Sequence, residues 1–166
     1  MIVVRLSKIA MTAALAAFAF IVTYDNIIDY DSNYTFVKHV LSMDTTFAGN
    51  KLMYRALTSP QSWTVAYGLI IAGEAVTFLL LAAGALVMLR HLRGSADKFQ
   101  RAKTWMIAGC AAGFLVWFFG FMVVGGEYFA MWQSQTWNGQ AAAFRLYAAI
   151  LGVLIFVNQR DGEYAH

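Results

Sequence analysis

Two ionisable side chains stand inside long apolar runs of this chain. Glu74 lies deep in the run 63–89, and Arg145 lies near the start of the run 139–158. Charge is costly in hydrocarbon, and residues kept there tend to mark a working site or an essential pair. Glu74 falls about ten residues inward from Trp63. At 1.5 Å of rise per residue that is roughly 15 Å, close to the middle of a hydrocarbon core about 30 Å thick. A lone carboxyl group there must be protonated or paired. Its candidate partners are Arg145, Tyr147 or a polar group of another subunit. The functional chemistry open to it is a proton or ion relay, or contact with a ligand. A structural hydrogen bond between helices is the plainer expectation, because no polar lane runs along the helix.

Arg145 has Ala141, Ala142, Ala148, Ala149 and Gly152 at three, four and seven residues from it. Membrane helices approach one another through small residues, so this surrounding predicts an arginine turned into the bundle. A third charge, Glu127, closes the heptad Gly113, Gly120, Glu127, which at α-helical geometry falls on nearly one face. Gly109 and Gly113 add a GxxxG spacing. The runs that carry Glu127 and Arg145 are joined by a short loop and should be antiparallel, which predicts a Glu127–Arg145 ion pair. The competing expectation is that Arg145 snorkels to the headgroups.

Recognisable catalytic motifs are missing. The sequence contains no HExxH, CxxC, Walker loop or GxSxG. Its histidines, His39, His91 and His166, fall outside the runs, so haem ligation within a bundle is not expected. The single cysteine, Cys110, reads as a small buried hydrophobe. No cofactor, metal or catalytic residue is predicted, and the chain is not expected to be an enzyme.

The elements that must position these charges follow from the composition. Of 166 residues, 60% are hydrophobic and 13% charged, against about 25% charged in soluble domains. Four runs, 6–24, 63–89, 104–126 and 139–158, have about the length needed to cross a bilayer as helices. The first is the weakest and spans only if Lys8 snorkels. It could also be a signal peptide, with Arg5 and Lys8 as its charged region and Ala14-Leu15-Ala16 as a cleavage site. A retained helix is the better expectation, since the apolar run continues through Phe18, Phe20, Ile21 and Val22. The fold class expected is all-α: one polytopic membrane domain, 1–166, of four transmembrane helices with a partly helical outer cap.

Basic residues set the orientation. Arg5, Lys8, Arg90, Arg93, Lys98, Arg101, Lys103 and Arg160 lie on one side, including the loop 90–103. Lys38, Lys51 and Arg55 lie on the other, offset by Asp25, Asp29, Asp31 and Asp44. The positive-inside rule then places both termini in the cytoplasm. The net charge of +3 reflects this bias and does not point to nucleic acid.

The long outer loop, 25–62, is too apolar for a disordered connector. Phe36, Val37, Val40 and Leu41 follow helical spacing, as do Leu52, Met53, Ala56 and Leu57 ahead of Pro60. These segments predict an ordered cap or an interfacial anchor. The second outer loop, 127–140, is aromatic, as a headgroup belt would be, and carries Gln133, Ser134, Gln135, Asn138 and Gln140. Asn33-Tyr34-Thr35 matches a glycosylation acceptor, a pattern common by chance.

Two of these segments also carry a resemblance. One is 34–57, above all His39-Val40-Leu41-Ser42-Met43-Asp44-Thr45-Thr46-Phe47. The other is Gly125-Gly126-Glu127-Tyr128-Phe129-Ala130-Met131-Trp132-Gln133-Ser134, followed by Trp137-Asn138-Gly139-Gln140 and Arg145. Together they resemble a bacterial family of predicted small integral membrane proteins of unknown function, over nearly the whole chain. The resemblance implies a four-helix protein of the bacterial inner membrane and no particular activity.

The function expected is therefore non-catalytic. The chain would be an accessory or assembly subunit docking a larger membrane or periplasmic complex through its outer face. Asp44, Thr45, Trp132, Gln133, Trp137 and Asn138 would form that face, with Glu127 and Arg145 holding the platform. The alternative is a small oligomeric transporter or lipid- or quinone-binding protein with Glu74 and Arg145 at its site. A polar cavity reaching Glu74 would favour the alternative, and a dry closed bundle would weaken it.

Overall fold

The computed structural model describes residues 2–162, in which all regular structure is helical. Helix α1 is Ile2–Ile28 and α2 is Tyr30–Ser42; α3 is Pro60–Arg90, α4 is Ala96–Ala102 and α5 is Thr104–Phe114. From α5 the chain continues as a π-helical segment, Leu115–Tyr128, and after a short loop it ends in α6, Gln140–Asn158. Four stretches are long and apolar enough to cross a membrane: Ile2–Ile28, Pro60–Arg90, Ala96–Tyr128 and Gln140–Asn158. The first is longer than the run 6–24 that hydropathy picks out. The basic loop 90–103 is itself partly helical, through α4.

Helix α3 starts where its sequence says it should. Ser59 caps it by accepting a hydrogen bond from the Ser62 backbone N–H at 3.2 Å, and Pro60 occupies the first turn. The helix packs against α1 on one side and α5 on another. Between α3 and α5 the backbones nearly touch. A Cβ on Gly84 would lie 2.6 Å from the Met106 nitrogen, and one on Gly109 would lie 2.9 Å from the Leu81 nitrogen. Small residues create this contact, and dispersion over the close-packed backbones holds it. Gly84→Val should therefore force the helices apart and cost about 1–3 kcal/mol, seen as a lower thermal midpoint in detergent. An unchanged midpoint would mean that the contact is dispensable.

Helix α1 turns Arg5, Lys8, Ile9, Thr12, Ala16, Ala19, Thr23 and Asn26 inward. Steps of three and four residues put these on one face. Its threonines satisfy themselves: Thr12 Oγ1 donates to the Lys8 carbonyl at 2.8 Å and Thr23 Oγ1 to that of Ala19 at 2.7 Å. Lys8 does not snorkel. Its side chain is buried, donating to the Gln159 carbonyl at 2.6 Å and to Asp161 at 3.1 Å. Lys103, at the start of α5, donates to the same two residues at 2.7 Å and 2.5 Å. Arg5 holds the carbonyls of Leu92 and Gly94 at 2.9 Å and 2.7 Å. The segment after α6 is thus clamped to α1, α5 and the 90–103 connection. A carboxylate within reach made burial of Lys8 cheaper than extending the side chain to the surface. Burial alone would push the Asp161 carboxyl up, but the hydrogen bonds from Lys103 and Lys8 outweigh it and hold the carboxyl below the usual range.

At the opposite end of the bundle α2 packs against the first half of α3 and the π-helical segment with Val37, Val40 and Leu41 buried, as its spacing predicts. Met43, in the left-handed region at φ 55°, stops the helix. The chain then returns, its Leu57 N–H bonding the Leu41 carbonyl at 2.8 Å and Trp63 Nε1 the Leu57 carbonyl at 2.7 Å.

Candidate functional site

Glu74 is the fifteenth of the 31 residues of α3, half-way along the longest helix, and only 2% exposed. Its Oε2 accepts a hydrogen bond from Asn26 Nδ2 of α1 at 2.7 Å. Asn26 Oδ1 in turn accepts from Asn33 Nδ2 of α2 at 2.6 Å and from the Tyr67 hydroxyl at 3.2 Å. The same hydroxyl lies 3.0 Å from the Asn26 backbone carbonyl. Three helices are therefore joined through one asparagine. Every polar atom of the Asn26 side chain is engaged, as an apolar setting demands. Glu74 Oε1 is different, because it accepts no hydrogen bond among the described residues.

That oxygen belongs to a residue lining a cavity of about 250 Å³. The polar wall is Asn26, Asn33, Tyr67 and Glu74, and the aromatic wall is Phe36, Tyr67, Trp117 and Phe121. Gly139 and the α6 residues Ala142, Ala143 and Leu146 complete the lining, and Ala142 is exposed. Among the described residues, no lysine, arginine or histidine lines it. A second, larger cavity of about 620 Å³ runs alongside as a groove between α3 and the π-helical segment, with an almost wholly apolar lining. Its rims, Leu69, Val76, Leu115 and Phe119, are exposed on the flank of the bundle. Phe36, Val37, Ile70 and Phe121 line both cavities. The Phe36 and Phe121 rings stack with centroids 6.2 Å apart, at 24°.

The π-helical geometry decides which residues reach the chamber. Its i→i+5 bonds, such as Phe129 N–H to the Val124 carbonyl at 3.0 Å, give more residues per turn than the 3.6 of an α-helix. A seven-residue step no longer returns to the same face. Gly113 is buried, Gly120 half-buried and Glu127 exposed, so the heptad that placed Glu127 in the interface fails. Arg145 is exposed too, and no Glu127–Arg145 ion pair exists among the described residues. Its small neighbours do not draw it inward. It lies only one and a half turns from the start of α6, where a long side chain reaches the helix end at less cost than burial. Tyr147 is not a partner of Glu74 either, being packed among Phe114, Phe118 and Phe144.

The partner that the sequence conceals is Asn26. It stands beside Asp25 just past the apolar run and so looks like the start of a loop. The spacing Lys8, Thr12, Ala16, Ala19, Thr23, Asn26 was the available signal, because it continues the buried face of α1 to that residue.

The residues expected to form a docking face make most of their contacts with neighbours outside that set. Thr45 Oγ1 lies 2.8 Å from Ser134 Oγ, and Gln133 Oε1 accepts from the Phe47 N–H at 3.1 Å. Asp44 pairs with His39 at 2.8 Å, and the His39 ring stacks on Trp137 with centroids 4.6 Å apart. Asn138 Oδ1 accepts from the Gln140 N–H at 3.0 Å at the start of α6. Trp132, set edge-on to Phe47 at 5.7 Å, stays about half exposed. Among the described residues, no cluster of three or more His, Cys, Asp or Glu side chains is placed to hold a metal ion.

This arrangement of four apolar spans agrees with comparison to known families, in which residues 4–160 match the family described as "Predicted small integral membrane protein (DUF2165)". The chain belongs to this family. No curated protein and no solved structure matches it. The family description carries no activity.

Proposed function

We propose that this membrane protein binds a small lipophilic ligand, taking its polar part into the chamber beside Glu74. The observation that carries this reading is a buried carboxyl group at the wall of a cavity of about 250 Å³, with one oxygen anchored by Asn26 and no hydrogen bond to the other among the described residues. A carboxyl needed only to join helices would gain by closing on both oxygens, since an unmade hydrogen bond in a low-dielectric interior is expensive. Chambers of this kind, apolar and aromatic with a few convergent polar groups, are the usual form of small-molecule sites. Transport or carriage of the ligand across or along the bilayer is the corresponding role. The excess of lysine and arginine at the end holding both termini supports placing that end in the cytoplasm of a bacterial inner membrane. The chamber would then open in the outer half.

The accessory-subunit reading placed its contacts on polar and aromatic groups at the outer end. Asp44, Thr45, Gln133 and Asn138 spend those groups within the chain, which leaves it with less support.

The test is chemical analysis of what co-purifies. Protein extracted in a mild non-ionic detergent should carry a defined small molecule, detected by native mass spectrometry. Ala142→Trp, which narrows the chamber wall, should lose it while keeping its thermal midpoint. Identical spectra showing bare protein for both would count against the reading.

A further inference from the structure

The chamber's walls specify the charge of what they hold. An anionic head would enter a site whose ionisable side chains are the Glu74 carboxyl and the Tyr67 hydroxyl, with no lysine or arginine among the described residues of the lining to meet it. Burying an unpaired anion next to a carboxylate fails on both desolvation and repulsion. What the walls do offer is a carboxylate oxygen with no hydrogen bond among the described residues, in a lining that includes the aromatic rings of Phe36, Tyr67, Trp117 and Phe121. Aromatic faces attract cations through their quadrupole, most strongly where water is excluded, and Trp is the best of them. A carboxylate supplies the neutralising charge. Resting on the reading of the chamber as a ligand site, we propose that the ligand is a lipophilic organic cation, an amine or quaternary ammonium with a single apolar tail. Its head sits against Glu74 and Trp117.

The tail follows from the neighbouring groove. The chamber and the groove share Phe36, Val37, Ile70 and Phe121, so a chain attached to a head at Glu74 leaves past these residues. The groove is apolar and its rims are exposed on the flank where the bilayer lies. The cation reaches the chamber from within the membrane, with the Phe36–Phe121 stack parting to admit it. Its positive charge replaces the neutralising proton that a carboxyl group otherwise needs in hydrocarbon.

The experiment is a calorimetric titration of the purified protein in dodecyl maltoside with decyltrimethylammonium. Saturable one-to-one binding is expected, weakened at least tenfold in Glu74→Gln, which keeps the shape and can still accept from Asn26. Decanol, of the same length and uncharged, should not compete. Dodecylphosphocholine carries the same trimethylammonium head beside a phosphate and should bind at least tenfold more weakly, which separates a free cation from a phospholipid headgroup. A photoreactive alkyl tail should label peptides 69–76 and 112–119, and excess decyltrimethylammonium should suppress that labelling. Equal affinity in wild type and Glu74→Gln, or equal competition by decanol, would overturn the cation assignment while leaving the chamber as a site for a neutral ligand. No binding of any probe by a protein that still yields a co-purifying molecule would also overturn it. Failure of both experiments would remove the site itself.

Discussion

Asp161→Asn should lower the unfolding free energy by roughly 3–5 kcal/mol at neutral pH, the usual cost of removing one partner from a buried ion pair. Asp161 Oδ2 takes hydrogen bonds from both Lys8 and Lys103, and all three side chains are at most 3% exposed. The substitution leaves two buried ammonium groups facing an amide. The loss also has a pH signature. The Asp161 carboxyl titrates below its ordinary value of about 3.9. A group with a depressed folded-state pKa stabilises above its unfolded pKa and loses that contribution as pH falls through the folded one. The gap between wild type and Asp161→Asn should therefore be full at pH 7 and close below about pH 4. Chemical or thermal unfolding in detergent micelles across that range measures it. A gap that stays constant down to pH 2 would show that the clamp works through shape alone.

The second large effect concerns Asn26. Replacing it by leucine takes the hydrogen-bond donor from Glu74 Oε2 and the acceptor from both Tyr67 and Asn33. The expected cost is about 3 kcal/mol, because buried polar groups are stranded along with the lost bond. Asn26→Leu combined with Glu74→Leu removes both sides of the Glu74 bond and should recover part of that loss, giving a coupling energy on the order of 1–2 kcal/mol in a double-mutant cycle. Strict additivity would mean that the two side chains do not interact. The cycle also separates structure from function. The double variant should regain stability and bind no ligand, whereas a purely structural Glu74 would leave co-purification unchanged.

The four spans were legible in the sequence because each depends on a property that length and hydropathy measure directly. Amphipathic spacing likewise predicted α2 through Val37, Val40 and Leu41. The side-chain pairings were not legible to the same degree. Glu127 and Arg145 were matched by assuming α-helical periodicity through a segment that is π-helical, and one change of turn geometry rotated Glu127 out. Lys8 was expected at the surface because its partner, Asp161, is 153 residues away. Glu74 lies half-way along α3, in agreement with the count from Trp63. Its partner was missed because hydropathy ends α1 at Tyr24, two residues short of Asn26, while hydrogen bonding carries the helix to Ile28. Long-range partners come from packing, and one chain's sequence records packing only through the periodicity of each helix.

An experimental density map of the wild-type protein purified in its native lipid would show directly whether the chamber beside Glu74 receives a ligand. Non-protein density is expected within hydrogen-bonding distance of Glu74 Oε1, between Trp117 and Phe121, continuing as a thinner tail past Ile70 into the groove. A chamber closed by those aromatic rings, with both oxygens of Glu74 bonded to protein groups, would contradict ligand binding there.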